Sequence, residues 1–180
     1  RASMALKSSP DRYGMVAIWM HWLSAALILV LLATGFRAAY ALDIESKAAL
    51  LRIHVPVAVA VLVLTLARIG WWLGYDHKPE PIDGTTGAQR LARAVHVLLY
   101  VVLLGMSASG IGMMILSGAL PAIFAADPVW LPRFWHYPPR LPHAFGARLL
   151  VALLAFHFAA AAYHHIVRRD RLLRRIWFAD

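Results

Sequence analysis

Four stretches of this chain run without a formal charge for lengths that few water-soluble segments reach. There are 24 such residues between Arg12 and Arg37 and 15 between Arg52 and Arg68, the latter continued by Ile69-Gly70-Trp71-Trp72-Leu73. There are 33 between Arg93 and Asp127 and 19 between Arg148 and Arg168, the last preceded by an apolar lead from Leu141 to Ala147. A helix needs about 20 residues to cross the hydrocarbon core of a bilayer. The expected spans are therefore residues 14–37, 52–73, 93–116 and 143–167. Lipid admits only structures that satisfy their own backbone, helices or closed barrels. No stretch alternates with the short period of a barrel strand. The expectation is an all-α membrane protein, a four-transmembrane-helix bundle with a hollow centre, forming a single domain over residues 1–180. The first run is too long and too aromatic, with a histidine inside it, for a cleaved signal peptide.

Composition agrees. Hydrophobic residues make up 61% and charged residues 15% of 180, against roughly 25% charged in soluble domains. A globule this small leaves much of its surface outside the core, so the expected solvent is the lipid bilayer. The absence of cysteine excludes a disulfide framework, thiolate zinc, thiolate-ligated iron–sulfur clusters and haem attached through a Cys-x-x-Cys-His motif.

The net charge of +9 suggests nucleic acid only until its distribution is seen. The cations fall between the apolar runs, so no nucleic-acid partner is expected. Arg1, Lys7, Arg12, Arg68, Lys78, Arg90, Arg93, Arg168, Arg169, Arg171, Arg174 and Arg175 belong to one side. Arg37, Lys47, Arg52, Arg133, Arg140 and Arg148 belong to the other. Twelve against six puts both termini in the cytoplasm by the positive-inside rule. Trp19, Trp22, Trp71 and Trp72 read as interfacial anchors. Residues 38–51, 74–92 and 117–142 read as connections, the last aromatic and proline-rich.

Nine histidines are many for so apolar a chain, and an ionisable residue inside a span is a functional signal. Depth decides which can meet. His21 lies near the cytoplasmic start of the first span, while His54 and His143 lie at the opposite face. His157 follows His143 by 14 residues, about 21 Å of helix and close to four full turns. It returns to the level of His21 on the same face as His143. Two facing pairs result, His54 with His143 and His21 with His157, as bis-histidine haem iron requires. The alternatives at this point are interhelical hydrogen bonds, copper or zinc, and a proton path, which more often carries intramembrane acids. His96 lies near the depth of His21 and competes as a ligand. His77 and His136 read as solvated loop residues.

These residues carry a resemblance to the bacterial cytochrome b561 family over nearly the whole chain. It runs through Arg12-Tyr13, Ile18-x-x-His21-Trp22-Leu23, Ile53-His54-Val55, Arg68 and His96-x-x-x-Tyr100. It is strongest in His143 and His157, Ala159-Ala160-Ala161, His164-His165 and Asp170-x-Leu172-Leu173-Arg174. The resemblance implies a bundle enclosing two non-covalent b haems, with His21, His54, His143 and His157 as axial ligands, in the bacterial inner membrane. It implies electron exchange with ubiquinone and, in the branch it most resembles, oxidation of superoxide at the periplasmic face. A basic residue that the family carries in its middle loop, at the quinone site, falls near Asp83 in this chain. The other function expected of such a bundle is that of a membrane anchor passing electrons between quinone and a partner dehydrogenase or hydrogenase; a metal transporter is the third. Arg52, Arg68 and Arg148 are the expected partners of the haem propionates, which need cations in a low-dielectric site. His164, seven residues and about 10 Å beyond His157, is the expected hydrogen-bond and proton donor to ubiquinone. His165 points elsewhere.

Overall fold

The computed structural model describes residues 5–81, 85–125 and 128–178. Asp83 lies outside the described residues, as do Arg1 and Asp127. Four long helices form the bundle: α1 (Met15–Tyr40), α2 (Ile44–Gly74), α3 (Thr86–Ser117) and, after the short α4 (Leu120–Phe124), α5 (Arg140–Tyr163). All four are long and apolar enough to cross a membrane, and no strand occurs among the described residues. The large side chains left outside, such as Leu29, Val59, Val63 and Ile115, form the apolar jacket that a lipid solvent requires.

The helices overrun the expected spans at their charged ends. Helix α2 begins at Ile44 because the Asp43 carboxylate accepts the Ser46 N–H at 2.7 Å, a side-chain cap. The expected 14-residue connection shrinks to residues 41–43. Helix α3 likewise starts at the Thr85 cap, whose hydroxyl accepts the Ala88 N–H at 3.3 Å. A charge-free run marks the lipid-immersed length, and a capped helix extends past it into water. The first N–H groups of α1 have no side-chain cap; the Met15 amide donates to Ala5 O at 3.0 Å instead. That close approach needs Gly14, whose added Cβ would stand 2.4 Å from Leu6 O.

Helix α1 packs on α2 and α3 on α5, and the two hairpins meet through α2 and α3. Mid-depth, Ile28, Val61, Val102 and Leu150 close the centre, one from each long helix. Ile28 and Val61 follow His21 and His54 by seven residues, and Leu150 lies midway between His143 and His157. The apolar layer therefore separates the two histidine levels. Hydroxyls in the spans bond back to their own helix, Ser24 to Met20 O at 2.6 Å and Thr65 to Val61 O at 2.7 Å, which removes unsatisfied donors from lipid.

At one end the segment after α3 folds onto the bundle. Ala119, Ile123 and Phe134 are buried with Met113, against Leu51 and Val55. At the other end the amino-terminal segment, the loop after α2 and the carboxy-terminal tail weave together. Arg175 donates to Asp11 O, Glu80 O and Pro10 O, each at 2.7 Å. The Asp76 carboxylate accepts the Ser8 N–H, the Ser8 hydroxyl and Trp71 Nε1–H. The described parts of the amino-terminal segment, of the loop after α2 and of the tail therefore share one end of the molecule.

The tryptophans expected as lipid anchors also take part in this weave. Trp22 Nε1–H donates to Ile176 O at 2.8 Å, and its ring meets Trp177. Trp19 meets Phe178, and Trp72 packs on Tyr13. The tail folds back along α1, which span arithmetic does not register.

Candidate functional site

The histidines face each other across the gap between the hairpins. At the loop end, His54 of α2 and His143 of α5 have ring centroids 6.4 Å apart. At the terminus end, His21 of α1 and His157 of α5 are 6.3 Å apart. A metal held by one nitrogen of each ring at about 2 Å separates such centroids by about 6 Å. Two levels with the same spacing are thus sized for one ion between each pair.

At the loop end the far ring nitrogens are held. The His143 Nδ1 sits 2.9 Å from the Ser109 hydroxyl and 3.2 Å from Met106 O. The His54 Nδ1 sits 3.1 Å from the Thr34 hydroxyl, which itself donates to Val30 O at 2.7 Å. Anchoring Nδ1 fixes the ring and leaves Nε2 free, the arrangement seen in histidines that hold a metal. Space beside the rings is made by glycine. A Cβ on Gly35 would stand 2.8 Å from His54 Cε1, and one on Gly110 would stand 3.5 Å from His143 Cε1. These anchors and clearances fit a haem iron with two axial imidazoles.

The terminus end holds a third ring. His96 of α3 lies 5.3 Å from His157, closer than the spacing of the two matched pairs. Its Nδ1 is 2.7 Å from Ala92 O, one turn back on its own helix. Arg68 stacks over Tyr100 with 5.7 Å to the ring centroid. Burial raises the Tyr13 hydroxyl pKa even though the nearby cations Arg175 and Arg68 pull against it. Burial lowers the Lys78 pKa, and the nearby cations Arg68 and Arg93 lower it further. Cations thus crowd this end and suit an anionic group.

The two arginines expected at the other level are engaged with backbone. Arg52 donates through Nε to Ile123 O at 2.7 Å and through Nη2 to Ala125 O, which pins α4. Arg148 Nη1 donates to Ala144 O at 2.9 Å. Arg148 also borders an apolar cleft of about 480 Å³ with Trp135, Leu141, Pro142, Ala144 and Phe145. At the tail, α5 ends in a π turn over His164–Arg168. His164 Nδ1 lies 2.5 Å from Asp170 Oδ2, and His165 is exposed.

Sequence reasoning missed Thr34, Ser109 and Asp170. Asp170 had a signal, as the one acid between Asp127 and Asp180, six residues from a histidine. The hydroxyls had none, because a hydroxyl in a span ordinarily serves its own helix.

Comparison with known proteins accords with this geometry. Over 171 residues the chain is 31% identical to cytochrome b562 of Cereibacter sphaeroides, covering 91% of this chain and 94% of that protein. It is 24% identical over 189 residues to cytochrome b561 homolog 2 of Escherichia coli K12, covering 96% and 95%. The sequence profile described as prokaryotic cytochrome b561 matches residues 12–179. With four membrane-spanning helices and that match, the chain belongs to the prokaryotic cytochrome b561 family, membrane electron-transfer cytochromes whose cofactor is haem b.

Proposed function

We propose that the chain is a superoxide:ubiquinone oxidoreductase of the bacterial inner membrane with two b haems. His54 and His143 hold one haem, and His21 and His157 hold the other. The observation that carries the two-haem part of this reading is the equal spacing, 6.4 and 6.3 Å, of two facing histidine pairs at two depths; the choice of superoxide and ubiquinone follows the resemblance carried by the sequence motifs. His96 is assigned a supporting role, because its ring stands closer to His157 than those pairs stand to each other. Bound b haems supply one-electron carriers at the two levels.

The chain's residues do the rest. Ser109 and Thr34 orient the loop-end ligands through Nδ1. Arg68 is assigned to the propionates at the terminus end, and to those at the loop end the nitrogens of Arg52 and Arg148 that the carbonyls of Ile123, Ala125 and Ala144 do not occupy. Arg37, Lys47, Arg133 and Arg140 form a basic rim there that raises the local concentration of a small anion. His164 is assigned to ubiquinone as the group that exchanges a proton. The reaction balances as two superoxide ions and two protons with one ubiquinone, yielding two dioxygen and one ubiquinol. The distribution of twelve basic residues to six supports cytoplasmic termini and a periplasmic donor side.

Pyridine haemochrome analysis should return two haems per chain, and a count of one overturns the ligand assignment. His157→Ala should lose one haem and His96→Ala should keep both; the reverse result exchanges their roles. Stopped-flow mixing with superoxide should reduce the haems, with a rate that falls about threefold as salt screens the rim. Haems that stay oxidised with superoxide yet accept electrons from a co-purifying dehydrogenase make the chain the electron-transfer subunit of that partner.

A further inference from the structure

We infer that Asp170 is the positioning residue for His164, holding Nδ1–H so that Nε2 is the one nitrogen that exchanges a proton with ubiquinone. This rests on the reading above that ubiquinone is reduced beside His164.

The backbone at the end of α5 brings the two side chains together. After the π turn, Arg169 adopts a φ of 51°, a left-handed conformation that non-glycine residues seldom take. This reversal returns Asp170 to the helix end, where its N–H donates to His164 O at 3.2 Å. The carboxylate is then fixed at both oxygens. Oδ1 accepts the Leu172 N–H at 3.1 Å, and Oδ2 meets His164 Nδ1 at 2.5 Å. The Arg168 Nε lies 3.8 Å from Oδ2, and the Tyr163 ring lies beside His164 with centroids 6.0 Å apart. Asp170 is 15% exposed and His164 29%, so the carboxylate is sheltered while the ring keeps an open edge. Burial pushes the Asp170 carboxyl up, but His164, the Leu172 amide and Arg168 outweigh it and hold it below the ordinary carboxylate value. It stays ionised at neutral pH and can only accept hydrogen bonds.

An acceptor on Nδ1 dictates the tautomer. When ubiquinone has taken two electrons, the imidazolium gives its Nε2 proton to one quinone oxygen and the second proton comes from water. The ring left behind keeps Nδ1–H on Asp170 and a lone pair on Nε2, which the aqueous side reloads. The electrons come from the reduced protein, so each ubiquinol formed oxidises it by two.

The test uses haem-loaded protein in detergent, with Asp170→Asn, Asp170→Glu and His164→Ala. In the dithionite-reduced, diamagnetic state, ¹⁵N-histidine NMR reports the His164 tautomer, its signals identified by their loss in His164→Ala. The wild type should show Nδ1–H. Asp170→Asn, which can present an amide donor, should show Nε2–H or a mixture, and Asp170→Glu should restore Nδ1–H. Mixing just-reduced protein with short-chain ubiquinone should reoxidise it about tenfold to a hundredfold more slowly in Asp170→Asn, with unaltered haem spectra. Unchanged tautomer and rate in Asp170→Asn overturn the inference and leave the carboxylate as a cap on the turn. An unchanged rate in His164→Ala overturns the ubiquinone site itself, whatever the tautomer does.

Discussion

Gly35 and Gly110 stand beside the two rings of the loop-end pair, and their clearances differ in kind. At 2.8 Å from His54 Cε1, a methyl on Gly35 overlaps the ring and must displace it. At 3.5 Å from His143 Cε1, a methyl on Gly110 makes ordinary van der Waals contact. Gly35→Ala should therefore lower haem content towards one per chain, whereas Gly110→Ala should keep two; equal haem content in both would show that His54 is free to shift. The positions of the histidines were legible beforehand because a helix rises a fixed distance per residue, so 14 residues fix depth and face together. What holds the rings was not legible. Ser109 and Thr34 lie among several span hydroxyls, and only the packing of α3 on α5 and α1 on α2 decides which ones reach a neighbouring imidazole. Asp170 stood out as an isolated acid, but its partnership with His164 depends on a left-handed residue, Arg169, which spacing along the chain does not announce.

The segment between α3 and α5 is the element that differs most from its description as a plain connection. It contains α4 and a 3-10 turn at Phe134–His136, and it is fastened from both sides. Ile123 is fully buried, Phe134 is 9% exposed, and Arg52 holds the last carbonyls of α4. Lys47 approaches the Phe134 ring at 5.6 Å, and Arg140 stacks on Trp135 at 4.5 Å. The proline and aromatic content that marks a loop is thus also what lets it pack as a lid beside Val55, next to His54. Phe134→Ala should cost about 3 kcal/mol and expose the lid to protease in detergent, while the haem proposed at His21 and His157 should keep its spectrum. A lid as resistant as the wild type would show that Phe134 contributes little to its closure. The spans themselves were legible to within a few residues in the lipid. The caps Asp43 and Thr85 lengthened α2 and α3, because the charges that end an apolar run do not end a helix.

Across the whole molecule, two helix hairpins share one end at which residues 8–12, the loop after α2 and residues 175–178 meet. Asp76 ties Ser8 to the loop after α2. Burial pushes its carboxyl up, but the Ser8, His77 and Trp71 donors outweigh that and hold it below its ordinary value of 3.8. A depressed carboxyl contributes fully above its unfolded value and loses that contribution as the pH falls through the folded one. Residues 5–14 should resist limited proteolysis at pH 7 and pH 5 alike and loosen only below about pH 4, whereas Asp76→Asn should loosen them throughout. Release already at pH 5 would locate the tie elsewhere.

Arg175 completes this weave by gripping Asp11, Pro10 and Glu80 at once. Its grip has a temporal meaning. Residues 10–12 are synthesised well before Arg175, so until residue 175 is made this grip cannot form. The segment that lies along Trp19 and Trp22, beside His21, follows α5 in the chain and so arrives after the four long helices described above. The level of His21 is therefore covered from that end by residues that follow α5, and a group entering there has its easiest access before those residues settle.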